Sequence, residues 1–358
     1  MGRYEELKFG ITISQINEVD LVVHAERVGY DFCWVWDSPM IRSNLWALLA
    51  LVADRTSHIA IGPGVAIPAL SMAPVIANAI ATINVIAPRR TFLGVGTGNT
   101  ALRAMGQMPM SIEAFEAYLK VIRGLLSGET VAYEANGITE DIVFQSLELG
   151  YINLDDPIPI YVGGFGPRAQ ALAGEYGAGL ITSIPRGGTI PDAVANAKIG
   201  ADRSGRAMAN FETYALVNLL LLRPGETLRS DRVLHEVGPS IMVNIHSIYD
   251  RYRELGTEPP EFAIPIWEEY VAFRQARDAD RSFTLAHGSH YGSLDAEEAR
   301  FVTPEIIRKF CIAGQPEDIL EQLSVLETQG LTGINFIAPA DRQSEMCYEF
   351  AETVIARA

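Results

Sequence analysis

Short β-branched or aromatic runs alternate with amphipathic stretches from one end of the chain to the other. The runs at residues 8–13, 32–36, 59–65, 91–95, 158–162, 179–182, 214–222 and 333–338 predict eight strands. Between the first two, residues 17–28 carry Val19, Val22, Val23 and Ala25 at helical spacing and run into Gly29, a helix stop. Residues 72–85 begin near Pro74 and are apolar nearly all round, the pattern of a helix packed between neighbours. Eight strands with helices between them predict an α/β chain folded as a (β/α)8 TIM barrel, one domain over residues 1–358, rather than an open sheet.

Two stretches exceed a minimal barrel. Residues 128–157 form a polar, extended-looking insertion, and residues 229–303 a larger one with helical pieces around 249–255 and 267–277. Long insertions after barrel strands build over the carboxyl-terminal face, so both are expected there, the second as a substrate lid.

The 358 residues, 48% of them hydrophobic, suffice for one large barrel or two ordinary domains, and the alternation favours the barrel. A formal charge of -16 disfavours nucleic acid or an anionic membrane as partner. Cys33, Cys311 and Cys347 are widely spaced and odd in number, which disfavours a disulfide framework or zinc site and makes a reducing cytoplasm the expectation. The amino terminus lacks the apolar core of a signal peptide and the apolar runs are too short to span a bilayer, so a soluble protein is expected.

Barrel chemistry sits just past the strand ends. The fifth strand runs into Gly163-Gly164-Phe-Gly-Pro167-Arg168, where absent side chains, a proline suited to the first helical position and a helix start together make a phosphate cradle. A side chain at Gly164 would stand in the ligand's way on this reading. The other strand ends offer Trp36-Asp37-Ser38, Gly62 to Ala66, Gly94 to Thr100, and Thr182-Ser183, a rim of glycine, hydroxyl and amide groups suited to a flat, hydrogen-bonding cofactor. Each piece has a plainer role: glycines for turns, Asp37 as a turn former before Pro39, Thr182 and Ser183 as caps. Gly94 to Gly98 has the wrong spacing for a dinucleotide fingerprint and lacks its acidic partner. None of the four lysines (Lys8, Lys120, Lys198, Lys309) falls at the end of a strand, which disfavours Schiff-base chemistry. Only Asp37 clearly offers the rim a metal ligand, and His287 and His290 lack a third partner, so no metal is expected. The two histidines are either polar groups on the substrate side or ordinary lid residues.

Taken in order, Ala25-Glu-Arg-Val-Gly-Tyr-Asp31, Trp36-Asp37-Ser38-Pro39, Ile61-Gly-Pro-Gly-Val65, Ala79-Ile-Ala-Thr-Ile83, Leu93-Gly-Val-Gly-Thr-Gly98, Pro159-Ile-Tyr-Val-Gly-Gly-Phe-Gly-Pro167 and Gly314-Gln-Pro-Glu317 resemble the luciferase-like superfamily of flavin and deazaflavin oxidoreductases, in its methylenetetrahydromethanopterin-reductase-like branch. The resemblance implies an isoalloxazine-type ring against the end of the third strand at Gly64, Val65 and Ala66, over a non-prolyl cis peptide at Gly64–Val65 or Val65–Ala66. It implies phosphate contacts from Gly163, Gly164, Thr182 and Ser183, and contacts to the ribityl-like chain from Gly98, Asn99 and Thr100. Asp37 falls near the reacting face, where His287 and His290 are expected to join it as catalytic groups.

Residues 67–72, Ile-Pro-Ala-Leu-Ser-Met, stand where relatives carry a polar run. An apolar wall there favours a hydrophobic or aromatic substrate over a charged pterin. The leading expectation is a monooxygenase using dioxygen and reduced FMN delivered by a partner flavin reductase, in a homo-oligomer. The alternative is hydride transfer with an 8-hydroxy-5-deazaflavin coenzyme, and a third reading is a non-catalytic flavin-binding protein.

Overall fold

The computed structural model describes residues 7–278, 294–339 and 341–357. The strands are β1 (Lys8–Ile13), β2 (Phe32–Val35), β3 (Ala60–Pro63), β4 (Leu93–Gly96), β5 (Val131–Ala135), β6 (Ile138–Ile142), β7 (Ile160–Gly163), β8 (Gly179–Ser183), β9 (Glu212–Leu221), β10 (Cys311–Gly314) and β11 (Gly333–Phe336). The helices are α1 (Val19–Arg27), α2 (Leu45–Arg55), α3 (Ala73–Ile86), α4 (Asn99–Ala104), α5 (Ile112–Leu126), α6 (Pro167–Tyr176), α7 (Ile190–Ser204), α8 (Asp231–Leu255), α9 (Ile264–Asp278), α10 (Pro304–Phe310), α11 (Pro316–Thr328) and α12 (Gln343–Thr353).

Strands pair in parallel in the order β3-β2-β1-β11-β9-β8-β7-β4. The two ends of this path meet through isolated bridges, Ile61 to Thr91 and Ala66 to Val95, which bring the eight strands round into a barrel. From 61 to 66 the chain advances five positions while 91 to 95 advances four, so the end of β3 bulges by one residue. The Gly64–Val65 peptide inside that bulge is cis.

Apolar side chains pack on both faces of the barrel wall. Outside, Leu45, Leu48, Leu49 and Val52 line one side of α2, whose start is capped by Asn44 accepting from the N–H groups of Trp46 and Ala47. Inside, Phe32, Trp34, Phe92, Tyr161 and Tyr214 pack as one cluster. A Cβ at Gly10 would lie 2.1 Å from the Phe32 ring, so a glycine on the neighbouring strand makes room for the aromatic.

Three features depart from the sequence pattern. Residues 128–157 hold an antiparallel hairpin, β5 with β6, and because they lie between α5 and β7 rather than after a barrel strand they feed the amino-terminal end of β7, which corrects their expected place over the carboxyl-terminal face. β9 is long enough to pair twice: Tyr214 to Val217 with β11, and Asn218 to Leu221 with β10, a four-residue strand too short to announce itself. In the larger insertion, α8 is one 25-residue helix that runs through Pro239, where a shorter helix was expected. Tertiary packing overrides the proline, because Val237, Ile241, Ile245 and Tyr249 recur every four residues and bury against Trp267, Tyr270 and Phe301. No helix among the described residues is long and apolar enough to cross a membrane.

Candidate active site

A cavity of about 650 Å³ opens at the carboxyl ends of the barrel strands. β2 contributes Trp36 and Asp37 from its end, β3 Gly64 and Val65, β4 Gly98, Asn99 and Thr100, β7 Gly163 and Gly164, and β8 Thr182. The position agrees with the general rule for barrel enzymes.

The turn from β7 into α6 is held by the Gly164 N–H, which donates to the Ile181 carbonyl at 2.9 Å. α6 starts at Pro167 behind Gly166, with no side chain capping it. Its first intrahelical bond runs from Gln170 N–H to Gly166 O at 3.0 Å, so the N–H groups of Arg168 and Ala169 lead the helix unpaired by it. A Cβ at Gly164 would lie 3.0 Å from the Ala169 carbonyl carbon and Cβ. A side chain at Gly164 would therefore press on the first turn of α6 as well as enter the cavity that Gly164 lines. Gly166 is different: among the described residues nothing beyond its chain neighbours lies within 4 Å of a Cβ built there.

Thr182 is 1% exposed, lines the cavity, and among the described residues its Oγ1 has no hydrogen-bond partner. A buried hydroxyl without a partner is costly unless a ligand supplies one. The loop beyond β8 is pinned beside it: Gln170 Nε2 donates to the Gly187 carbonyl at 2.9 Å and Asn196 Nδ2 to Gln170 Oε1 at 2.8 Å. Arg186, also on this loop, stacks over the Phe165 ring at 4.7 Å. Leading helix N–H groups, an unsatisfied hydroxyl and arginines fit the phosphate end of a flavin-type cofactor.

Asp37 is half-buried, and its Oδ2 accepts from the Ile67 N–H at 3.0 Å. Burial pushes its carboxyl pKa up and the single backbone bond only partly opposes this. Such a carboxyl can hold a proton at higher pH than an exposed one. Gly98, with φ of 80°, caps α4 in the left-handed region, and a Cβ there would lie 2.4 Å from Ile67 Cγ2.

Two of the expected contacts do not line the cavity. Ala66 is fully buried, and its N–H and carbonyl bond to Gly94 O and Gly96 N–H at 2.8 and 3.1 Å, so it closes the barrel wall. Ser183 is buried in register with Leu216 at the end of β8. Of residues 67–72 only Ile67 reaches the cavity, while Met72 is 60% exposed at the start of α3, which narrows the expected apolar wall. His287 and His290 lie outside the described residues.

The cavity also gains groups that the sequence reading missed. Arg42 stacks over the Trp36 ring at 5.0 Å. From α8 come Ser247, Asp250, Arg251 and Glu254, spaced i, i+3, i+4 and i+7 along one face. This polar stripe opposite an apolar one was the available signal.

A family model described as luciferase-like monooxygenase matches residues 12–333. The chain is 27% identical to a 5,10-methylenetetrahydromethanopterin reductase of Archaeoglobus fulgidus, over 92% of both chains. It is 24% identical to an F420-dependent glucose-6-phosphate dehydrogenase of Amycolatopsis mediterranei, over 95% of this chain and 93% of that one. In fold it is similar to the coenzyme F420 dependent tetrahydromethanopterin reductase from Methanopyrus kandleri, with a TM-score of 0.65 at 20% identity over 98% and 99% of the two chains. The EDTA monooxygenase from Chelativorans sp. BNC1 superposes equally, with a TM-score of 0.65 at 14% identity over 98% and 93%. Fold alone therefore does not choose the electron carrier. The chain belongs to the luciferase-like monooxygenase family and is an oxidoreductase enzyme.

Proposed function

We propose that the protein is a deazaflavin-dependent oxidoreductase that exchanges a hydride between coenzyme F420 and a small organic substrate. The observation that carries this reading is the sequence kinship, over 95% of the chain, with a dehydrogenase named as F420-dependent. The reading with FMN and dioxygen has weaker support, because beyond the family's own description likeness to a monooxygenase rests on fold at 14% identity. Under this proposal a flavin reductase is not the partner.

When bound, the coenzyme supplies a ring carbon that gives or takes hydride and does not activate dioxygen. The protein's work is binding, orientation and proton handling. Arg168 and Ala169 N–H groups with the Thr182 hydroxyl hold the phosphate, and Gly98, Asn99 and Thr100 hold the polar chain. Gly64 and Val65 form the wall behind the ring. Asp37 takes the proton from, or returns it to, the substrate atom next to the carbon that changes oxidation state.

Anaerobic turnover tests this reading. Reduced coenzyme F420 mixed with the protein and a panel of small carbonyl and imine acceptors should regain its oxidised absorbance without oxygen. Substrate-dependent oxygen consumption seen only with reduced FMN would contradict it.

Thr182→Val offers a narrower check. Removing a hydroxyl that has no partner among the described residues should leave the ligand-free protein as stable or slightly more so, while coenzyme affinity falls about tenfold. Thermal melting and fluorescence titration read the two effects separately. Loss of stability with unchanged affinity would remove Thr182 from the cradle.

A further inference from the structure

Arg103 joins two segments that face each other at the cavity. It lies in α4, and its Nε–H donates to Asn99 Oδ1 at 3.1 Å. Its terminal nitrogens donate to both carboxylate oxygens of Glu254 at 2.6 and 2.8 Å, 151 residues along the chain and in the last turn of α8. Asn99, Arg103 and Glu254 all line the cavity.

Exposed ion pairs contribute little, but this one is forked and the Arg103 side chain is only 15% exposed. The bond with Glu254 holds the guanidinium pKa above its ordinary value, with the charges of Glu254 and Asp250 adding to it. The chemistry of Nε settles the orientation of Asn99. Nε–H can only donate, so the Asn99 amide must turn its oxygen towards Arg103 and its NH2 group elsewhere. A lysine carries its three donors on one nitrogen and lacks the planar fork that here reaches Asn99 from Nε and both Glu254 oxygens from the two terminal nitrogens.

We propose that Arg103 is a positioning residue that presents Asn99 as a hydrogen-bond donor to the coenzyme and holds the end of α8 against the β4 side of the cavity. One side chain thereby serves both tasks, recognition through Asn99 and docking of the insertion through Glu254. The donor half rests on the coenzyme binding along Gly98 to Thr100, as proposed above; the docking half does not.

The test uses the full-length protein and the variants Arg103→Lys, Glu254→Gln and Asn99→Ala. Hydrogen–deuterium exchange is measured without ligand, and fluorescence titration with coenzyme F420 and with FMN. Exchange over residues 247–255 should rise severalfold in Arg103→Lys and in Glu254→Gln, with the barrel strands unchanged. Coenzyme affinity should fall about tenfold in Arg103→Lys, the loss of one hydrogen bond, but little in Glu254→Gln, which leaves the bond to Asn99 in place. In the Asn99→Ala background, Arg103→Lys should cost less than about twofold more. A merely structural role would lower affinity equally in both backgrounds, and that result, or unchanged exchange over 247–255, would overturn the proposal. If the wild-type protein binds neither coenzyme, the proposed function and the donor half fail together, and exchange alone decides the docking half.

Discussion

Asp37→Asn is expected to cut kcat by about 10²- to 10⁴-fold, the range for removing a positioned acid or base. The backbone contact should survive, because an amide oxygen can still accept from the Ile67 N–H now bonded to Oδ2 at 3.0 Å. Stability should move the opposite way to activity. Burial raises the Asp37 pKa in the folded protein, so the stability it contributes is fully present below the ordinary carboxylate pKa. That contribution is lost as pH rises through the raised folded value. Asp37→Asn should therefore melt higher than wild type at neutral pH, and the gap should close in acid. The same variant should lose the limb of the pH–rate profile set by this carboxyl. A variant that keeps kcat within about threefold of wild type would remove Asp37 from the chemistry.

Gly166→Asp should also separate folding from binding. Gly166 has φ of -113° and ψ of 157°, a conformation open to any residue, and among the described residues no atom beyond its chain neighbours lies within 4 Å of a Cβ there. As the residue capping α6, an aspartate can accept from the leading N–H groups and place its charge at the positive end of the helix. A gain of a few tenths of a kcal/mol in stability is expected. The same carboxylate occupies the donors a phosphate needs and repels it, and one or two charge-assisted bonds of about 1.5–3 kcal/mol each are lost. Coenzyme affinity should drop about a hundredfold or more. Unchanged affinity in a folded, equally stable variant would place the phosphate elsewhere.

The barrel was legible because its eight strands are short, largely buried runs, each carrying at least one β-branched residue, with turn signals between them. The cradle was legible because Gly163 to Arg168 needs only local geometry: a strand, a glycine turn and a proline-led helix. Long-range features were not. β10 is defined by its pairing with β9 rather than by its own four residues. The bulge that turns Ala66 into the barrel wall depends on bridges to β4, almost 30 residues away. The arginines at the mouth were missed because a charged residue in a loop or short helix reads as surface until the fold shows what it faces, as Arg103 does through Glu254. Even the role of Gly164 needed the third dimension, since part of its constraint comes from Ala169 in the helix that follows.

The choice of electron carrier is the central claim, and side-by-side titration tests it most directly. Purified protein is titrated with oxidised coenzyme F420 and with FMN under identical salt and pH, following the fluorescence of each. The account predicts saturable binding of coenzyme F420 at least tenfold tighter than FMN, and that preference persisting in Asp37→Asn, which alters proton handling but not the cradle. Tighter binding of FMN, with weak or no binding of coenzyme F420, would contradict it.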